Sequence, residues 1–162
     1  LRRFEALPAR IRRRITLEND DKTFTTRETL DACLALGAPM VLDLHHHAVN
    51  NEGEAVEALW EEILKTWPAS RSDSGSPDPL LAPKIHVSSP KSASEPRSHA
   101  DYVDADMFYA FARSVAAATP RLDVMIEAKR KDDALFRLIE ELAGREGVRR
   151  PDGREAALEI EP

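Results

Sequence analysis

The stretch VLDLHHHAVN, residues 41–50, runs from a short apolar segment into an aspartate and three consecutive histidines. PMVLDLHH (39–46) reads as a buried strand, and it stops on side chains that bind metals. The same order recurs on either side. RITLEND (14–20) reads as a short strand reaching Glu18, PKIHVSS (83–89) as a strand carrying His86, and LDVMIEAK (122–129) as a strand reaching Glu127. Helical patterns alternate with these strands. TTRETLDACLALG (25–37) has a threonine cap, Glu28 in its first turn and Gly37 to stop it. EAVEALWEEILKTWP (54–68) is closed by Pro68, and DADMFYAFARSVAAAT (104–119) and KDDALFRLIEELAGREG (131–147) follow. Upstream, Leu1, Phe4, Leu7 and Ile11 recur at helical spacing as far as Arg13.

Strands alternating with helices imply parallel strands joined by crossover helices. No strand is followed by a glycine-rich phosphate loop, which argues against a nucleotide-binding doubly wound fold. Instead Glu18, Asp43, His86 and Glu127 stand at four successive strand ends. In a (β/α)8 barrel all strand ends converge on one mouth, where the active site lies. A whole barrel takes about 250 residues, and this chain has 162. The expected fold is therefore α/β, with the four parallel strands forming the C-terminal half (strands 5–8) of a TIM-type barrel. The chain opens on Leu1 inside a helical pattern, which reads as a piece of something longer. Residues 1–147 are expected to form the half-barrel, the Ser/Pro/Asp-rich segment 69–82 a variable loop, and 148–162 a loosely ordered tail.

Composition narrows the class. Hydrophobic content of 42% and charged content of 32% suit a globular domain and argue against disorder. The net charge of −6 gives no global signal for nucleic acid. Arg10, Arg12, Arg13 and Arg14 read either as a phosphate patch or as a solvated helix end whose cations complement the dipole. One cysteine, Cys33, forms no internal disulfide, so a reducing setting is expected: the cytoplasm with its nucleoid, or the nucleus in a eukaryote. No stretch has the length of a transmembrane helix, and no membrane partner is expected.

Mixed carboxylate and imidazole ligands suit divalent ions such as Mn²⁺ or Zn²⁺. Each residue also has a plainer reading. A strand-end glutamate is often salt-bridged near solvent, and a lone histidine is often just a surface residue. Asp43 ends its strand and His46 follows three residues later, on the loop above it. Lys84 and His86 lie two apart and share one strand face. A lysine facing a barrel interior is costly unless paired or chemically modified. SHADY adds His99 and Asp101 on the loop after that strand, and all five histidines of the chain fall within these blocks.

Taken together, RITLENDDKTFT, VLDLHHHAVN, KIHVSSP with HADY, and DVMIEAKRKDDAL resemble, in order, the blocks of the UV damage endonuclease family. The resemblance covers roughly residues 1–143. It implies a TIM barrel akin to endonuclease IV and the xylose-isomerase-like enzymes. The implied activity is cleavage of damaged double-stranded DNA immediately 5′ to ultraviolet photoproducts (pyrimidine dimers and 6-4 photoproducts), and at abasic sites. The implied cofactors are up to three divalent ions, commonly Mn²⁺, with Zn²⁺ or Mg²⁺ as alternatives. By the same resemblance, Glu18 and Glu127 are carboxylates shared by two ions, and Asp43 and His86 complete the second ion's shell. His46 and His99 hold the third ion, with Asp101 beside them. Lys84 resembles a lysine that the family carries in carboxylated form, and Lys84 and Glu127 are the expected catalytic residues.

The departures set the limits of the resemblance. The family's other metal histidines and its damage-probing residues lie on earlier strands, absent from this sequence, and segment 69–82 is longer than usual. Four strands cannot close a barrel, so the chain alone is expected to be inactive, awaiting an N-terminal half or surviving as a remnant. Two other readings remain: a sugar isomerase or epimerase of the same superfamily, and a non-catalytic metal-binding module. His46, His99 and Lys84 exceed what a one-ion epimerase needs.

Overall fold

In the computed structural model, residues 2–67 and 82–162 are described. Leu1, Pro68 and all of the expected 69–82 loop except Ala82 lie outside them. The N-terminal helix expected as far as Arg13 is instead two single turns, α1 (Arg2–Glu5) and α2 (Ala9–Arg12). Pro8 separates them at φ −54°, ψ 141°. Proline lacks the N–H that would continue the helix, and its ring crowds the preceding turn.

β1 (Leu17–Glu18) is followed by α3 (Thr26–Leu36), which starts and stops where the sequence predicts. The Thr25 hydroxyl accepts from the Glu28 N–H at 3.3 Å, and the Glu28 carboxylate accepts from the Thr25 N–H at 3.0 Å. This reciprocal pair satisfies two N–H groups that the first turn leaves without helical partners. Gly37 closes the helix at φ +61°, a conformation that a side chain disfavours.

β2 (Met40–Asp43) is buried at every position and pairs in parallel with β1, Leu17 with Met40 and Glu18 with Val41. The sequence suggests a strand running to His46, but it ends at Asp43. The Asp43 Oδ1 accepts the His46 N–H at 2.7 Å and so caps a helix, α4 (Leu44–Val49). His46 therefore rides on a helix, not on the expected loop. α5 (Val56–Thr66) buries Leu59, Trp60 and Ile63, the three-and-four spacing of an amphipathic helix.

β3 (Lys84–Val87) alternates, with Ile85 and Val87 buried and Lys84 and His86 half-buried on the other face. Beyond it, β4 (Pro90–Ser92) and β5 (Glu95–His99) form an antiparallel hairpin, Pro90 opposite His99. The sequence reading has a loop here. The residues of β4 and the first three of β5 are exposed, so no apolar alternation marks them as strands. α6 (Ala105–Val115) is capped by Asp104, whose Oδ1 accepts from Asp106 and Met107, and a 3-10 turn over Ala116–Ala118 ends it. β6 (Asp123–Ile126) and α7 (Asp132–Ala143) follow. In the expected loose tail, β7 (Val148–Arg149) and β8 (Glu159–Ile160) pair antiparallel, and Val148 is buried.

The fold is α/β with a four-stranded parallel sheet in the order β1-β2-β3-β6. The chain forms two compact units, residues 1–85 with 121–123, and residues 86–120 with 124–162. The first is built on Leu30, Cys33, Met40, Leu42, Leu59, Trp60 and Ile63; the second on Val87, Phe108, Phe111, Leu138 and Leu142. Each large apolar side chain of this kind contributes about 1.5–3 kcal/mol on burial, which makes both units firm platforms for the strand ends. No helix among the described residues is long and apolar enough to cross a membrane.

Candidate metal centre

In the first unit, the β1–β2 register sets Glu18 beside Val41, and alternation returns Asp43 to that same face. The first turn of α4 then brings His46 back over the strand ends. His46 Nδ1 lies 3.5 Å from Glu18 Oε1 and 3.8 Å from Asp43 Oδ2. One ligand-type atom from each of the three falls within 4.8 Å of the others. Exposure is graded: the Asp43 side chain is 0% exposed, His46 20% and Glu18 34%. A wholly buried carboxylate needs positive charge or donors around it, and a mixed carboxylate–imidazole set is what borderline divalent ions accept. These three residues fit a metal ion.

Asn19, itself buried, ties the three together. Its Nδ2 donates to the Asp43 carbonyl at 3.0 Å, and its Oδ1 accepts from the Asp43 N–H at 2.9 Å. The Asn19 carbonyl lies 2.9 Å from His46 Nδ1. A carbonyl only accepts, so in this geometry Nδ1 carries the proton. The sequence reading passed over Asn19; a polar residue directly after a strand, within LENDD, was the available signal.

Asp20 shapes the adjoining turn. Its carboxylate accepts from the backbone of Lys22 at 2.7 Å, of Thr23, and of Phe24 at 3.1 Å. The Thr23 N–H, above all, holds its pKa below the ordinary aspartate range; burial opposes this, and Lys22, Phe24 and then His46 add to it. Asn50 Nδ2 donates to the Asp20 carbonyl at 2.9 Å, fastening the end of α4 to the same turn.

The three neighbouring histidines are not equivalent. His47 is buried, with Nδ1 2.8 Å from the Thr26 hydroxyl and Nε2 3.1 Å from the Glu54 carbonyl. Nε2 must donate to that carbonyl, so Nδ1 accepts from the hydroxyl, and the ring joins α3 to the 51–55 turn. His45 is buried as well. Of the run, His46 is the one grouped with the carboxylates.

In the second unit, His86 Nδ1 lies 3.3 Å from Glu127 Oε1, with side chains 18% and 33% exposed. The Glu127 N–H donates to the Val87 carbonyl at 2.9 Å, which carries strand-like pairing one residue past β6 and fixes the glutamate near His86. His99, expected on a loop, is the last residue of β5 and is half-buried. Asp101 is exposed in the bend that follows, where its carbonyl and that of Ala100 accept from Arg130 and Lys129. Among the described residues, no group of three or more metal-type ligands includes His99 or Asp101.

The family described as UV-endonuclease UvdE matches residues 1–159. A UV DNA damage endonuclease of Bacillus cereus (strain G9842) is 42% identical over 147 residues, covering 91% of this chain and 44% of that protein. The UV DNA damage endonuclease of Bacillus mycoides (strain KBAB4) is 42% identical over 146 residues, 90% of this chain and 43% of its own length. The crystal structure of SacUVDE superimposes with a TM-score of 0.70 at 27% identity, covering 87% of this chain and 43% of that one. The chain thus spans less than half the length of the relatives it matches. By sequence and by fold, it belongs to the UvdE family of UV endonucleases.

Proposed function

We propose that this chain is the metal-holding portion of a DNA repair endonuclease. The full enzyme hydrolyses the phosphodiester bond 5′ to ultraviolet photoproducts and at abasic sites in double-stranded DNA. The observation that carries this reading is the gathering of Glu18, Asp43 and His46 at the ends of adjacent parallel strands, within a chain of the UvdE family. On this reading the four-stranded sheet is the C-terminal half of a TIM-type barrel.

Glu18, Asp43, His46, His86 and Glu127 hold up to three divalent ions, Mn²⁺ first and Zn²⁺ or Mg²⁺ as alternatives, with His99 and Asp101 as further ligands. Bound ions of this kind supply the Lewis acidity and positive charge that phosphate-ester hydrolysis demands. The protein's part is placement. Buried Asp43 supplies a fixed anion, Glu18 and Glu127 bring negative charge at the rim, and His46 offers an imidazole oriented by a backbone carbonyl. Lys84, on the same strand face as His86, works as a carboxylated anion. The part of the relatives that this chain does not cover supplies the remaining ligands and the contacts to the lesion. The enzyme works where DNA is held, in the nucleoid or the nucleus.

The test is incision of ultraviolet-irradiated plasmid, with and without Mn²⁺, by a chain extended to the length of its relatives. Metal-dependent nicking that disappears in Glu18→Gln supports the proposal. Absence of nicking with the ions demonstrably bound rejects it.

A further inference from the structure

Resting on the reading of Glu18, Asp43 and His46 as metal ligands, we propose that Asn19 is the positioning residue of this centre. Its side chain fixes where Asp43 stands, and its backbone carbonyl fixes where the His46 ring stands.

Three contacts carry the inference. The Asn19 amide group bonds to both backbone groups of Asp43, at 3.0 and 2.9 Å, across 24 residues of sequence. A side chain thereby reproduces the two-point pairing of a strand ladder just where the β1–β2 register ends at Glu18 and Val41. Without that side chain, neither backbone group of Asp43 keeps this partner, and the strand end that carries the carboxylate is held less firmly. The third contact is the 2.9 Å bond from His46 Nδ1 to the Asn19 carbonyl. Metal-binding histidines are commonly oriented in this way, and loss of such a supporting group typically costs about 10–100-fold in metal affinity.

A purely structural role predicts something different, and Thr66 provides the comparison. Its hydroxyl is buried, accepts from the Met40 N–H at 2.9 Å and donates to the Ile63 carbonyl at 2.7 Å. It holds the opposite end of β2, away from the ligands. The parent chain, Asn19→Ala and Thr66→Val would be compared by Mn²⁺ affinity from electron paramagnetic resonance and by thermal melting without metal. Asn19→Ala removes both bonds to Asp43 and should weaken Mn²⁺ binding about 10–100-fold. Thr66→Val should melt earlier with Mn²⁺ affinity unchanged. Asn19→Asp keeps the acceptor for the Asp43 N–H, loses the donor to its carbonyl, and serves if the alanine variant does not fold; it should weaken binding by less.

The proposal is overturned if Asn19→Ala binds Mn²⁺ as the parent does, or if Thr66→Val weakens binding equally. A parent that binds no Mn²⁺ removes the metal reading itself, and the proposal with it. The two failures are distinguishable, since one is read in the parent and the other only in the Asn19 variants.

Discussion

The Thr26 hydroxyl lies 2.8 Å from Nδ1 of His47, and the far nitrogen of that ring lies 3.1 Å from the Glu54 carbonyl. Both ring nitrogens are spent on protein contacts, one residue away from a histidine grouped with carboxylates. His47→Ala should therefore destabilise the chain by about 2–4 kcal/mol, through an unpaired buried hydroxyl and a cavity. His46→Ala should cost less stability in the metal-free chain and release about one ion, because a deleted ligand mainly weakens its own ion. Denaturant melts and metal analysis check both halves, and complete metal loss from His46→Ala would contradict the assignment.

Glu127 and Lys84 should separate by charge in the extended enzyme. Glu127→Gln keeps the side chain's size, removes its negative charge beside His86, and should abolish incision. If Lys84 acts as a carboxylated anion, Lys84→Glu retains more incision than Lys84→Arg, and gentle mass spectrometry shows added carbon dioxide. An arginine variant as active as the parent would make Lys84 an ordinary cationic contact to phosphate.

The 162 residues on their own should not nick irradiated plasmid at any Mn²⁺ concentration. On the proposed reading, their four-stranded sheet is half of a barrel that would need eight strands. Gel analysis of plasmid topology reads the outcome; metal-dependent nicking by this chain alone would show that the half-site suffices.

Asp20 gives the turn after β1 a dependence on acid. Its folded pKa is lowered, chiefly by the Thr23 N–H, so it binds its proton less readily folded than unfolded. The stability that this carboxylate contributes is present above the ordinary aspartate value of 3.8 and is lost as pH falls through the lowered folded value. Asp20→Asn should flatten that part of the acid limb, measured as the melting midpoint against pH.

Much of this was legible in sequence because single residues decide it. Thr25, Glu28 and Gly37 fixed both ends of α3, and the apolar runs leading to Glu18, Asp43 and Glu127 placed three strand ends within three residues. The misses share a cause. Pro8 overrode a helical periodicity, Asp43 turned from strand end to helix cap, and a polar, exposed hairpin over 90–99 carried no apolar alternation. Asn19 carried only the signal of a polar residue directly after a strand, because its partner lies 24 residues away: a side chain that replaces ladder hydrogen bonds leaves no periodic mark. His46 could be chosen over His45 and His47 only through resemblance, since what separates them is where α4 turns each ring.

β6 closes one side of the sheet, with Val124 and Met125 36% and 47% exposed and Asp123 and Glu127 at or beside its ends. Among the described residues no strand pairs with the outer edge of β6; an open edge with apolar side chains recruits other strands, and flanking charges hold such edges apart. A second copy pairing there brings carboxylates together, which opposes self-association at low salt. Divalent ions that neutralise Glu127 remove part of that repulsion. Metal titrations of the isolated chain are therefore expected to promote assembly as well as loading, and light scattering alongside each titration tells the two apart.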